Sequence, residues 1–180
     1  MNRVKREFAG YGDSRNLMDL LISSATTELR LFYYYTILNV NIVHPDDGGL
    51  RLVTETIRTE DRNHFDTLVS RIYGLGGKLP YDMKEFHVIP TCPYIALSTK
   101  PDTRSVVKTL LDIKQGSISG YNTICNMTLG EDRVTYDLAS RILREEKEHA
   151  FWFFEFLDES VSQRYMELEV ASPSYMYKAS

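Results

Sequence analysis

The chain has 180 residues, enough for one domain with a sizeable core. Its composition, 43% hydrophobic and 26% charged, is that of a soluble globular protein, and a net charge of −4 without blocks of like charge gives no basic footprint for nucleic acid. No run of apolar residues is long enough to span a membrane, residues 1–10 lack the apolar core of a signal peptide, and two cysteines, Cys92 and Cys125, fit a cytoplasmic protein with free thiols better than a disulfide scaffold.

Proline and glycine divide the chain into four long segments, 14–42, 50–75, 102–129 and 132–165, none of which contains proline. Each carries apolar residues at helical spacing and is too long for a strand. Ser14 or Asp13 is placed to start the first, and Pro45-Asp46-Asp47-Gly48-Gly49 separates it from the second. Gly74, Gly76 and Gly77 stop the second. Asp102 is placed to cap the third, Gly130 to end it, and Asp132 to cap the fourth. The predicted architecture is all-α, a bundle of four helices over residues 1–165 with a C-terminal extension over 166–180.

Loop lengths set the topology. The first and third connections are short, so the first two helices pair antiparallel, as do the last two. Residues 78–101 form a long, proline-rich link. A link of that size reaches roughly 80 Å at most, ample to return the chain along the whole bundle and leave the second and third long helices parallel.

A repeat hidden in this pattern carries the chemistry. The fourth segment contains Glu146-Lys147-Glu148-His149, and the second contains Asp61-Arg62-Asn63-His64. A carboxylate and a histidine three residues apart share one helix face, and helical bundles use such pairs, with one further carboxylate from each remaining helix, to hold metal ions. Glu28 lies 33 residues before Asp61, with Tyr35 seven residues after it. Lys114 lies 32 residues before Glu146, with Tyr121 seven residues after it. The chain is a hairpin written twice.

Blander readings exist for each piece. Glu145, Glu146 and Glu148 read equally as a solvated face, Glu60 competes with Asp61 as the inward acid, and Tyr35 and Tyr121 read as core aromatics. The matched offsets favour the metal reading. Glu28 supports it, because an ionised carboxylate among Leu29, Leu31, Phe32 and Tyr33 is costly unless paired or metal-bound. Lys114 breaks the symmetry. It stands where the fourth carboxylate belongs, and an ammonium cannot ligate a metal. The expectation is one sound half-site (Glu28, Asp61, His64, with Glu146 bridging) and a second, around Glu146 and His149, without its terminal acid. Lys114 would pair with Glu146 in the second metal's place, unless the register is shifted by one and it faces solvent.

Longer segments then point to a family. They are Glu60-Asp61-Arg62-Asn63-His64-Phe65, the run from Arg71 to Pro80, Lys84-Glu85-Phe86-His87, Cys92-Pro93, the run from Gly120 to Thr128, and Thr135-Tyr136-Asp137-Leu138-Ala139. With these the sequence resembles the Dps-like, thioferritin-type proteins of the ferritin-like superfamily over roughly residues 15–160. The resemblance implies a twelve-subunit cage in which a di-iron centre oxidises Fe(II), preferably with hydrogen peroxide, and deposits iron inside, protecting against oxidative damage. It assigns the metal ligands to Glu28, Asp61, His64, Glu146 and His149. It also implies a cysteine pair beside the centre. Cys92 matches the first cysteine, but the second position is Gly116 here, and Cys125 stands further along the same helix. Lys114 and Gly116 are thus neighbouring departures from the family's pattern.

Two functions follow. One is an iron-oxidising, iron-storing homo-oligomeric cage protein with an altered second metal site. The other is a structural cage subunit, impaired in catalysis, that assembles alone or with an active paralogue.

Overall fold

A computed structural model describes residues 16–41, 48–88 and 102–158. Its elements are α1 (Leu17–Asn41), α2 (Gly48–Gly74), the short α3 (Met83–Val88), α4 (Thr103–Thr128) and α5 (Arg133–Leu157). The four long helices fall on the four predicted segments. Ser14 and Asp13 lie outside the described residues. The described start of α1 is capped instead by Asn16, whose Oδ1 accepts the Asp19 amide at 2.9 Å. Asp102 and Asp132 do cap α4 and α5, accepting the amides of Ser105 and Thr135, each at 3.1 Å. Gly130, at φ 81°, and Gly76, at φ 80°, take the left-handed conformation just beyond α4 and α2, which costs glycine least. The fourth helix is shorter than predicted. It ends at Leu157, with Asp158 as its C-cap, and the 166–180 extension lies outside the described residues.

Cross-helix contacts fix the directions. Glu28 meets His64, and Asn39 meets Thr54, so α1 and α2 are antiparallel. Glu28 meets Tyr121 and Tyr35 meets Lys114, so α1 and α4 are antiparallel. Two helices antiparallel to the same third helix are parallel to each other. Therefore α2 and α4 run the same way, and the link between them must climb the length of the bundle. Part of that link is α3, a short helix within the segment expected as loop. It is fixed to α1 by Arg30, whose guanidinium donates to the Phe86 carbonyl at 2.6 Å.

The apolar core comes in two parts. One contains Leu21, Ala25, Leu68, Ile72, Tyr121 and Ile124, and the other Leu31, Tyr35, Ile57, Leu110, Ile113 and Phe153. Between them on α1, α2, α4 and α5 lie Glu28, Asp61, His64, Lys114, Glu146 and His149, each at most 2% exposed. Six ionisable side chains in a dry layer require partners, because isolated buried charge is very costly.

Candidate metal centre

Each long helix sends its polar residues to one level. Mid-α1 gives Glu28, α2 gives Asp61 and His64 from successive turns, and α5 gives Glu146 and His149 with the same spacing. One ligand atom each from Glu28, Asp61, His64 and Glu146 lies within 4.8 Å of the other three. His64 Nδ1 is 3.5 Å from Glu28 Oε2, 3.7 Å from Glu146 Oε1 and 3.9 Å from Asp61 Oδ1. His149 is not one of those four but adjoins them, its Nδ1 3.4 Å from Glu146 Oε1.

Lys114 comes into this layer from α4. Its side chain is fully buried, so the register that would expose it is ruled out. Its ammonium donates to Asp61 Oδ1 and to Glu146 Oε1, both at 2.9 Å. It therefore stands between the two carboxylates that each half of the repeat contributes, and pairs with both rather than with Glu146 alone. Its Nζ is also 5.8 Å from the centre of the Tyr35 ring. Burial works against the charge of Lys114, but Asp61 and Glu146 outweigh it and hold its pKa well above the ordinary range.

The two carboxylates respond differently. Burial pushes Asp61 up to about 7, against the pull of Lys114 and with the help of the nearby Glu28 and Glu146 charges. Glu146 also suffers burial, but Lys114 and His149 overcome it and bring it down to about 2. Burial would depress His64, yet Glu28, Glu146 and Asp61 raise it to about 9. The raised values of Asp61 and His64 both favour the protonated form of these groups in the buried layer.

Two glutamates outside the layer complete it. His64 Nε2 lies 2.6 Å from Glu145 Oε2, and His149 Nε2 lies 2.5 Å from Glu60 Oε2. The competition between Glu60 and Asp61 is settled by burial: Asp61 faces inward and Glu60 takes the histidine of the facing helix. Nor do Glu145 and Glu146 form a solvated face, since one holds His64 and the other is fully buried. The roles of Glu60 and Glu145 were missed in the sequence, although a signal was there. In both halves of the repeat a glutamate immediately precedes the motif's carboxylate.

Of the two tyrosines, Tyr121 is more than a core aromatic. Tyr121 donates to Glu28 Oε1 at 2.6 Å, whereas the buried Tyr35 hydroxyl has no hydrogen-bond partner. Cys125 is a buried free thiol whose pKa burial raises. Cys92 lies outside the described residues, and with it any Cys92–Cys125 pairing. Gly116 is buried on α4.

The donor set suits a metal ion. Glu28 Oε2, Asp61 Oδ2, Glu146 Oε2 and the Nδ1 atoms of both histidines are buried without hydrogen-bond partners. Buried polar atoms are normally satisfied, and carboxylate oxygens with imidazole nitrogen are the donors that borderline divalent cations take.

A four-helix bundle with parallel α2 and α4, whose middle carries carboxylates and histidines, is the ferritin-like architecture. A family model described as a ferritin-like domain matches residues 18–160. The DNA protection during starvation protein of Pyrococcus furiosus is 39% identical over 166 residues, covering 92% of this chain and 90% of that protein. Among solved structures, a dodecameric thioferritin, the bacterioferritin-related protein of Bacteroides fragilis, superposes with a TM-score of 0.75 at 23% identity, covering 93% of this chain and 97% of the other. Dps from Thermosynechococcus elongatus does so with a TM-score of 0.72 at 17% identity, covering 79% and 90%. The chain belongs to the ferritin-like family and is Dps-like. Among the described residues no helix is long and apolar enough to cross a membrane.

Proposed function

We propose that this protein is an iron-binding subunit of a Dps-like cage that takes up Fe(II) one at a time at the buried centre of each chain, two Fe(II) in succession giving the two electrons that take one hydrogen peroxide to water, and stores the ferric product. The ligands would be Glu28, Asp61, His64 and Glu146, with His149 beside Glu146. The observation that carries this reading is the pair of 2.9 Å contacts from Lys114 to Asp61 and Glu146, next to carboxylate oxygens that have no partner. Three carboxylates and one ammonium leave two negative charges, the complement of one divalent cation. Four carboxylates would complement two. Lys114 thus stands in for the second metal.

Iron is the substrate here, and what the protein's own groups supply is binding and charge. The acids must be ionised and His64 neutral to bind it, so uptake releases protons. Tyr121 holds Glu28 by one oxygen and leaves the other free. The core on either side keeps water from the layer, which strengthens each electrostatic contact. The relatives' names supply the setting: protection during starvation and a dodecameric shell. We read the protective role as removal of iron and peroxide, since a net charge of −4 does not favour the coating of DNA.

A second reading rests on the same lysine. Reduction of peroxide by two electrons is served by two neighbouring metals, and with one position filled by an ammonium the subunit would be slow. It would then act as a structural member of a cage, alone or with an active paralogue. Anaerobic calorimetric titration with Fe(II) separates the outcomes. One Fe(II) per chain with peroxide-driven oxidation supports the main reading. One without oxidation supports the structural reading. Two per chain would mean that Lys114 is displaced, and none that the centre is not a metal site. Light scattering of the purified protein tests the cage.

A further inference from the structure

The two histidines are held by a reciprocal clasp. His64 on α2 is bound by Glu145 on α5, and His149 on α5 by Glu60 on α2. The rings lie 6.3 Å apart with 28° between their planes, which matches the two-fold character of the repeat. Each ring is at most 2% exposed, while the side chains of Glu145 and Glu60 are 28% and 36% exposed. The glutamates thus reach inward from the α2–α5 seam to the outer nitrogen of each ring.

That contact decides which nitrogen faces the centre as a base. An ionised carboxylate only accepts hydrogen bonds, so Nε2 must carry the hydrogen. In the neutral ring the lone pair then belongs to Nδ1. In both histidines Nδ1 is the inward, unpartnered atom. Groups that hold a metal-binding histidine by its far nitrogen fix its tautomer and orientation.

The clasp is symmetric but the centre is not. His64 Nδ1 faces Glu28 Oε2 at 3.5 Å, an oxygen with no hydrogen-bond donor. His149 Nδ1 is 3.4 Å from Glu146 Oε1, which already accepts the Lys114 ammonium at 2.9 Å. On the one-metal reading proposed above, on which this rests, Glu145 serves the half that takes the cation and Glu60 serves the half that Lys114 fills. We infer that Glu145 and Glu60 are positioning residues acting through His64 and His149, and that Lys114 makes Glu145 the dominant one for metal affinity. In a chain with a carboxylate at position 114 the two would matter alike.

The competing explanation is that both glutamates merely tie α2 to α5. That role predicts similar losses of thermal stability in the two variants and no difference between them in metal affinity. The test titrates Co(II) anaerobically into the full chain, following its visible ligand-field absorption, with the thermal midpoint of each metal-free variant measured alongside. Glu145→Ala is expected to weaken Co(II) binding by about 10–100-fold and to change the absorption band, whereas Glu60→Ala weakens it by less than about tenfold. Glu145→Gln, which keeps an acceptor oxygen, is expected to recover most of the affinity. Lys114→Glu is expected to admit a second cation, and in that background Glu60→Ala is expected to weaken the second Co(II) by about 10–100-fold. Equal losses from Glu145→Ala and Glu60→Ala in the native background overturn the inference while leaving the metal site standing, and so does native affinity in Glu145→Ala. If an alanine variant fails to fold, the same comparison between Glu145→Met and Glu60→Met, which fill the space without offering an acceptor oxygen, decides it. A native chain that binds no Co(II) overturns the site reading itself and this inference with it.

Discussion

Tyr121 gives its hydroxyl hydrogen to Glu28 across 2.6 Å, joining the middle of α4 to the middle of α1. The repeat places Tyr35 where Tyr121 stands in the other half, and the residue opposite it is Lys114 rather than a glutamate. An ammonium accepts no hydrogen bond, and the Tyr35 hydroxyl is left buried without a partner. A lysine rather than a carboxylate at this position therefore bears on three things in this layer: the donor set, the local charge and the hydrogen bonding of a tyrosine.

The tyrosines make a sensitive pair for testing this. Removing the Tyr121 hydroxyl strands a buried carboxylate oxygen, and Tyr121→Phe is expected to destabilise the fold by about 1–3 kcal/mol. Tyr35→Phe removes a polar atom that gains nothing from its surroundings, so it is expected to be neutral or stabilising. Urea unfolding of the two variants beside the native chain measures both. A loss from Tyr35→Phe as large as that from Tyr121→Phe would contradict the orphaned hydroxyl.

Lys114 is the next test. Asp61, Glu146 and Lys114 are all fully buried, so taking the lysine away leaves acids without their cation. Lys114→Met, close in volume, is expected to cost the metal-free protein about 3–5 kcal/mol at neutral pH. A divalent ion should replace the missing charge, returning about 2.7 kcal/mol when present at 100 times its Kd. Thermal unfolding with chelator and with Mn(II) reads both numbers. A variant as stable as the native chain in chelator would show that the ammonium contributes no net stability.

Lys114→Glu restores the fourth acid and gives Tyr35 an acceptor. The metal-free variant gathers four carboxylates and is expected to be the least stable of the series. With metal it should be the most strongly stabilised, and its Fe(II) stoichiometry should rise from one to two per chain. Unchanged stoichiometry would mean that position 114 does not control the second metal.

How much of this could be read in the sequence depends on whether the signal was periodic. Segment lengths, proline positions and the Asp102 and Asp132 caps are local, and the four helices and the long crossover follow from them. Asp61, His64, Glu146 and His149 were legible because three-residue spacing is a property of one helix. Glu28 and Lys114 were legible because the hairpin is repeated. What crosses between helices was not. That Lys114 bridges Asp61 and Glu146, that Tyr121 reaches Glu28, and that Glu60 and Glu145 exchange histidines all depend on how the four long helices face one another. No spacing within one segment encodes that. The start of α1 at Asn16 shows the same limit on a small scale, since several capping residues stand in a row there and only packing selects among them.

Stability should also depend on pH, with a sign set by the unusual protonation of this layer. A group whose pKa is raised by folding holds its proton more tightly in the folded state. Its stabilisation is complete below the unfolded value and is lost as pH rises through the folded value. For His64 that loss runs from the ordinary 6.5 to about 9, and for Asp61 from 3.8 to about 7. Glu146, lowered from 4.5 to about 2, acts the other way, its contribution disappearing only as pH falls through that acid range. The metal-free protein is therefore expected to lose stability steadily from mildly acidic pH to about 9, by at most about 1.4 kcal/mol per pH unit for each proton involved. Saturating Mn(II) should flatten the profile, because a bound cation has already displaced the His64 proton, and the metal's affinity should climb over the same range. Thermal midpoints across that range in chelator, with Mn(II), and for His64→Gln measure each part. A flat profile in chelator, or a slope that His64→Gln leaves unaltered, would show that the layer does not gather protons in place of the metal.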